Sequence, residues 1–265
     1  MRVLAFSDLH GNVDVLKMLA KRLEGENFDY MLIAGDLTNA DLISDPESVL
    51  KQVYEVFHLI ESLEIPYYFV WGIPFRELTI VLSLALRKAS KDHPRMKAYS
   101  RKEYQDLLRI GKETESLISS LKHGKCLEHG RVESLGKYKI TSTPQLVDGK
   151  TVFLVHHFKK LTNALIQIEG HVHYGQKLNN YLNLGFLYRD DSHGAKPMIG
   201  CYWVLKFDKT GVNAEWVNMG ENLKEYKCPR HPEQGVFYIP VNWKKCPVCY
   251  DLRKNKELLR GKGLH

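Results

Sequence analysis

Apolar and polar positions switch between two periods along the first 75 residues. "VLAF" (3–6) is a short unbroken apolar run, the pattern of a strand buried on both faces. "NVDVLKMLAKRLEG" (12–25) places Val13, Leu16, Leu19, Ala20 and Leu23 at helical spacing, with Gly25 as the stop. "YMLIAG" (30–35) is a second apolar run, ended by Gly35. "PESVLKQVYEVFHLIESLE" (46–64) opens with Pro46 in a first helical turn and carries Val49, Val53, Val56, Phe57 and Ile60 on one face. "PYYFVWG" (66–72) is a third strand. Strand, helix, strand, helix, strand predicts parallel strands joined by right-handed crossovers.

Residues 76–122 interrupt this rhythm with two amphipathic helices around the polar turn "SKDHPRM" (90–96), expected as an insertion or a lid against the sheet. Short strands follow in "KYKITSTP" (137–144), "TVFLVHH" (151–157) and "LIQIEGHVH" (165–173), the second half of a layered sheet. "YWVLKFDKTGVNAEWVNM" (202–219) is a hairpin turning at Lys209-Thr210-Gly211. A compositional boundary near Glu225 separates a main domain, 1–225, from a small C-terminal module, 226–265.

Composition narrows the class. Of the 265 residues, 44% are hydrophobic and 26% charged, enough apolar matter for a real core. The longest apolar stretch, "LTIVLSLAL" (78–86), lies between Arg76 and Arg87 and is far short of the roughly 18 consecutive apolar residues of a membrane span. "MRVLAFSD" passes from strand to acidic chemistry without a signal-peptide pattern. Three of five cysteines crowd into the last fifth of the chain, which points to metal binding rather than disulfides, and so to the cytoplasm. The net charge is +7, and from Lys227 onward nine basic residues face three acidic ones. That tail is either an RNA- or DNA-binding segment or a solvated surface. The run Arg87, Lys88, Lys91, Arg95, Lys97, Arg101 and Lys102 is likewise either a basic lid or the solvated face of a helical pair.

The chemistry sits where strands end. Asp8 and His10 follow the first strand; Asp36, with Asn39 behind it, follows the second. His156 and His157 end a later strand, and "GHVH" places His171 and His173 two apart on an expected extended backbone. One acidic residue after a strand is usually a helix cap, and one histidine in an apolar run is usually a satisfied core residue. Two strand-end carboxylates with three histidine positions, in a fold whose strand ends converge, instead point to a metal centre.

In this order, Asp8-x-His10, Gly35-Asp36-x-x-Asn39, Gly72 after a strand, His156 and Gly170-His171-x-His173 resemble the motifs of the calcineurin-like metallophosphoesterases. "LNLGFL" (182–187) is similar to the Asn-x-Gly segment after that family's last histidines. The resemblance implies an α/β two-sheet sandwich with a dinuclear metal site. It implies one ion on Asp8, His10, Asp36 and His173, with Asp36 bridging to a second on His156 and His171. Asp36 and His171 are the catalytic candidates, and His157 is the rival to His156. Carboxylates and imidazoles suit Mn, Fe, Zn or Ni, which would activate water against a phosphate ester such as that of a nucleotide or nucleic acid.

The third family motif is altered. Gly72 remains, but Ile73, Pro74 and Phe75 stand where the family has an Asn ligand, a His and an acid. Losing a positioned general acid typically costs about 10² to 10⁴ in rate. The expectation is therefore one or two bound metals and a hydrolase of phosphate esters. The alternative is a catalytically degraded relative that serves as a scaffold on nucleic acid or a ribonucleoprotein.

"CPRH" (228–231) and "CPVC" (246–249) set Cys228, His231, Cys246 and Cys249 at the spacing of a zinc ribbon, implying a structural Zn. Tyr238, Trp243 and Tyr250 interleave with Lys244, Lys245 and Arg253, a pattern compatible with nucleic-acid contact or with a small core. Cys126 and Cys201 are expected as buried thiols.

Overall fold

The structure, a computed structural model, describes residues 1–38, 46–72, 101–127, 130–190 and 196–251. Ile73, Pro74, Phe75, Asn39, the first helix and turn of the expected insertion, and the basic residues beyond Asp251 lie outside these ranges.

Strands β1 (Arg2–Phe6), β2 (Tyr30–Ile33) and β3 (Tyr67–Phe69) are parallel neighbours, linked by helices α1 (Val13–Arg22) and α2 (Pro46–Glu61) as the periodicity predicts. Asn12 caps α1, its side chain accepting the Val15 N–H at 3.0 Å. Helix α3 (Arg101–Ser120), the second helix expected in the insertion, leads into β4 (Gly124–Cys126) beside β3. The later hairpin pairs with β1 on its other side and completes a six-stranded sheet. Its strands are β13 (Cys201–Phe207) and β14 (Val212–Asn218).

The second sheet has eight strands in the order β15-β16-β9-β10-β8-β7-β6-β5. At its centre are β6 (Tyr138–Thr141), β7 (Thr151–Leu154), β8 (Ile166–Glu169) and β10 (Tyr181–Leu184), all parallel. β5 (Glu133–Leu135) closes one edge. At the other, β9 (Gly175–Leu178), β16 (Val236–Pro240) and β15 (Leu223–Lys227) add antiparallel strands. The C-terminal Cys/His segment therefore grows out of this sheet. A short pair, β11 (Tyr188–Arg189) and β12 (Met198–Ile199), lies apart.

Alternation along the strands builds the layers. Leu4 and Phe6, Met31 and Ile33, Tyr67 and Phe69 face one way and pack on Leu16 and Leu19 of α1 and Val53 and Phe57 of α2. Val3 and Ala5, Leu32 and Ala34, Tyr68 and Val70 face the other way, against Ile140, Val152, Leu154, Ile168 and Leu182 of the second sheet. The first sheet is thus buried on both faces, which is why its strands read as unbroken apolar runs. Each fully buried Leu or Phe contributes about 1.5–3 kcal/mol. The result is an α/β two-sheet sandwich. No described helix is long and apolar enough to cross a membrane.

Register decides where the chemistry lands. Phe6 pairs with Ile33, Ile33 with Phe69 and Phe69 with Cys126, so the segments beginning at Ser7, Ala34 and Val70 leave the sheet at one rim. In the second sheet Leu154 pairs with Ile168, which brings His156 and His171 to their strand ends together. Cys201 is fully buried, whereas Cys126, expected to be the same, is only half-buried in the edge strand β4.

Candidate metal centre

The loops after β1 and β2 are zipped by their backbones. Asp8 N–H donates to Gly35 O at 3.0 Å, Leu9 and His10 N–H to Asp36 O at 2.9 and 3.0 Å, and Gly11 N–H to Leu37 O at 2.9 Å. Two carboxylates 28 residues apart in sequence are thereby held side by side. The second sheet joins at the same point: Leu187 N–H donates to Ser7 O at 2.8 Å and Tyr188 N–H to Asp8 O at 3.0 Å. Asp8 is fully buried, and its two carboxylate oxygens accept the His171 N–H at 3.1 and 3.0 Å.

The side chains assemble into two sets, Asp8, His10 and His173 in one and Asp36, His156 and His171 in the other, each with ligand atoms within 4.8 Å of one another. In the first, His173 Nε2 lies 3.1 Å from Asp8 Oδ1 and 3.0 Å from His10 Nε2. In the second, His156 Nε2 lies 3.2 Å from Asp36 Oδ2, and the His156 and His171 ring centroids are 5.0 Å apart. His157 stands beside this set, half-exposed, its ring 4.7 Å from that of His171 and its Nδ1 3.9 Å from Glu169 Oε2.

The backbone at these residues departs from the sequence reading. Asp8, His10, Asp36, His171 and His173 all have positive φ, between 47° and 75°. Such left-handed positions typically cost about 1–3 kcal/mol each outside glycine, and they collect where function over-determines the chain. The extended backbone expected for "GHVH" is therefore wrong. An extended segment would aim His171 and His173 in parallel, whereas the curled loop delivers one to each set.

Glycines and one asparagine make room for this. A Cβ on Gly72 would fall 1.6 Å from Asp36 Oδ1, and one on Gly170 would fall 2.4 Å from Asp8 Oδ2. Buried Asn183 donates to Gly170 O at 2.7 Å and accepts from the Gly185 N–H at 3.0 Å, fixing the start of the histidine loop. The sequence marked the segment of Asn183 but not this clamp; the available signal is a polar residue inside an apolar strand between two glycine turns.

Electrostatics favour cations. Burial pushes His10 and His171 below the ordinary histidine range, toward the neutral imidazole that offers a lone pair. For His156 burial acts in the same direction, but the Asp36 carboxylate beside it and the field of Asp8 outweigh it and push the group up to about 9. The carbonyl of Ala34 can only accept, so His156 Nδ1 donates to it, at 2.7 Å, and Nε2 is the nitrogen turned to Asp36. That nitrogen is buried, and Asp36 Oδ2 lies 3.2 Å from it, at ion-pair distance. A buried imidazole nitrogen facing a carboxylate, beside a second imidazole, fits a divalent cation, which would take the place of the proton that Asp36 favours there. A cavity of about 600 Å³ opens beside His10, lined by Asn12, Lys51, Gln52, Tyr188 and Asp190 among others.

Cys228, His231, Cys246 and Cys249 also converge. His231 Nδ1 lies 3.5 Å from Cys228 Sγ, 3.3 Å from Cys246 Sγ and 3.5 Å from Cys249 Sγ, a donor set that fits Zn²⁺. Cys228 and Cys246 are buried in a small core with Phe237 and Ile239, against which Tyr174, Tyr226 and Trp243 pack.

Residues 1–72 match the family described as calcineurin-like phosphoesterase. No curated protein matches the chain. One solved crystal structure is similar over 83% of this chain and 99% of its own, at 12% identity and a TM-score of 0.53. That likeness extends the two-sheet fold beyond the matched segment. The crystal structure of TT1561 of Thermus thermophilus is similar at 12% identity, over 82% and 98% of the two chains, with a TM-score of 0.49. YfcE, a phosphoesterase from E. coli, is 14% identical over 83% of this chain and 100% of its own, with a TM-score of 0.37.

Proposed function

We propose that this chain is a metal-dependent phosphoesterase related to the calcineurin-like family. The observation that carries the reading is the convergence of the two ligand sets at one rim of the sandwich. The family match supports it, since residues 1–72 include Asp8, His10, Asp36 and Gly72. Asp8, His10 and His173 would hold one divalent ion and His156 and His171 a second. Asp36 suits the bridging position, because its own carbonyl is tied to the loop of the first set. Mn, Fe, Zn or Ni fit these ligands. When bound, such ions lower the pKa of a coordinated water and polarise phosphoryl oxygens.

The protein's contribution is placement. Asp8 orients the His171 backbone, Ala34 fixes the His156 tautomer, and Asn183 fixes the loop that carries both late histidines. Pro74 offers no proton to a leaving group, so esters with good leaving groups are the preferred substrates. Cys228, His231, Cys246 and Cys249 would hold a structural zinc, leaving that site with a charge of about −1.

The test is metal content and hydrolysis of an activated phosphodiester on one preparation with Mn²⁺ added, compared with Asp36→Asn. Turnover that Asp36→Asn abolishes is the expected result. Ile73 and Pro74 favour a second reading, a scaffold that keeps the fold without the chemistry. Tight loading of a single metal with no turnover on any ester would establish it.

A further inference from the structure

We infer that the two knuckles of the Cys/His cluster form a docking surface for single-stranded nucleic acid beside the metal centre. Lys227 and Arg230 flank Cys228 in the first knuckle, and Lys244 and Lys245 immediately precede Cys246 in the second. Because the four ligand atoms lie within 4.8 Å of one another, the cluster brings together the two backbone turns that carry these four cations. All four are exposed, and none forms an ion pair among the described residues. Glu233 and Asp251 are the acidic residues of the described part of the segment beyond Lys227. The cation excess there is thus carried by the knuckles themselves.

Aromatic faces lie among these cations. Trp243, next to Lys244, meets Tyr250 edge-on with ring centroids 5.3 Å apart, and both are half-buried. Cations spaced along two turns suit phosphates, and partly exposed rings suit unstacked bases, the combination that binds single strands without sequence preference. An acidic peptide would use the charges but leave the rings unexplained.

The Cys/His cluster is linked to the candidate metal centre through the chain that follows His173. Tyr174, the residue after the ligand candidate His173, packs its ring 6.1 Å from that of Phe237 and belongs to the small core around Cys228, Cys246 and Trp243. The next residue, Gly175, pairs with Tyr238 in β16. The docking surface stands independently of metal chemistry. Its consequence, that the ester hydrolysed is a polynucleotide phosphodiester, rests on the phosphoesterase reading.

The experiment is fluorescence anisotropy of labelled single-stranded DNA and RNA oligonucleotides with the full zinc-loaded chain carrying Asp36→Asn, so that the probe stays intact. Salt-dependent binding is expected. Adding Lys244→Ala with Lys245→Ala should weaken it about 10-fold and lower the salt slope by about 1–2, and Lys227→Ala with Arg230→Ala should act in the same direction. Zinc content and circular dichroism show that each variant is folded. Affinity that neither pair changes, no binding at all, or competition by polyglutamate as strong as by oligonucleotide would overturn the inference. A wild-type chain that hydrolyses a small diester yet binds no oligonucleotide removes the docking surface and leaves the phosphoesterase. Oligonucleotide binding without hydrolysis of any ester does the reverse.

Discussion

His156 donates from Nδ1 to the carbonyl of Ala34 at 2.7 Å, and its Nε2 consequently faces Asp36 Oδ2 across 3.2 Å. A backbone carbonyl in the loop after one strand thus sets the tautomer of a histidine from the other sheet. His156→Asn keeps a donor near Ala34 and removes the second nitrogen. Metal analysis should find one ion fewer than in wild type. Turnover should fall by more than the about 10–100-fold that even outer partners of a metal ligand cost.

Asn183 tests the support beneath the ligands. Asn183→Ala leaves the buried Gly185 amide unpaired, at about 1–3 kcal/mol, and leaves the Gly170 carbonyl with only the Val172 N–H. Urea denaturation should show that loss, and metal titration should show weaker binding although no ligand has been touched. Asn183→Asp keeps the acceptor for Gly185 and should fall between the two.

Space is as strict as charge. Gly72→Ala would put a methyl group where Asp36 Oδ1 now lies, 1.6 Å from the ideal Cβ position. The expected outcome is a folded protein with depleted metal and little turnover, read by metal analysis against circular dichroism. Gly25→Ala is the control, since a Cβ there meets nothing within 4 Å and only its φ of +78° resists the change.

These cases show what the sequence made legible. Apolar runs ending in Asp8, Asp36, His156 and His171 identify strand ends, and strand ends converge in a parallel sheet, so the meeting of these side chains could be read from order alone. Backbone conformation could not. Five candidate ligands adopt left-handed φ because tertiary bonds such as Leu9 N–H to Asp36 O force the loops to curl, and local propensity carries no record of those bonds. The Asn183 clamp was hidden for a similar reason: its partners, Gly170 and Gly185, come together only when β8 and β10 pair. The pairing of β16 with β9, which seats the Cys/His cluster on the second sheet, is a long-range register that composition does not encode.

Tyr174 packs its ring on the Cys/His core and follows the candidate ligand His173 in the chain. Tyr174→Ala should destabilise the chain by less than the about 3–5 kcal/mol of a fully buried ring, because Tyr174 is only half-buried. It should also weaken metal retention by Asp8, His10 and His173. Tyr174→Phe keeps the packing and should retain metal as wild type does. Equal metal loss in both variants, measured by titration, would place the effect in the hydroxyl and not in the ring.

The convergence of the strand-end ligands is tested most directly by anomalous diffraction from crystals grown with Mn²⁺. The account predicts density for one ion among Asp8, His10 and His173 and for another among Asp36, His156 and His171. Ordered side chains in that arrangement with no anomalous peak at either position would contradict it.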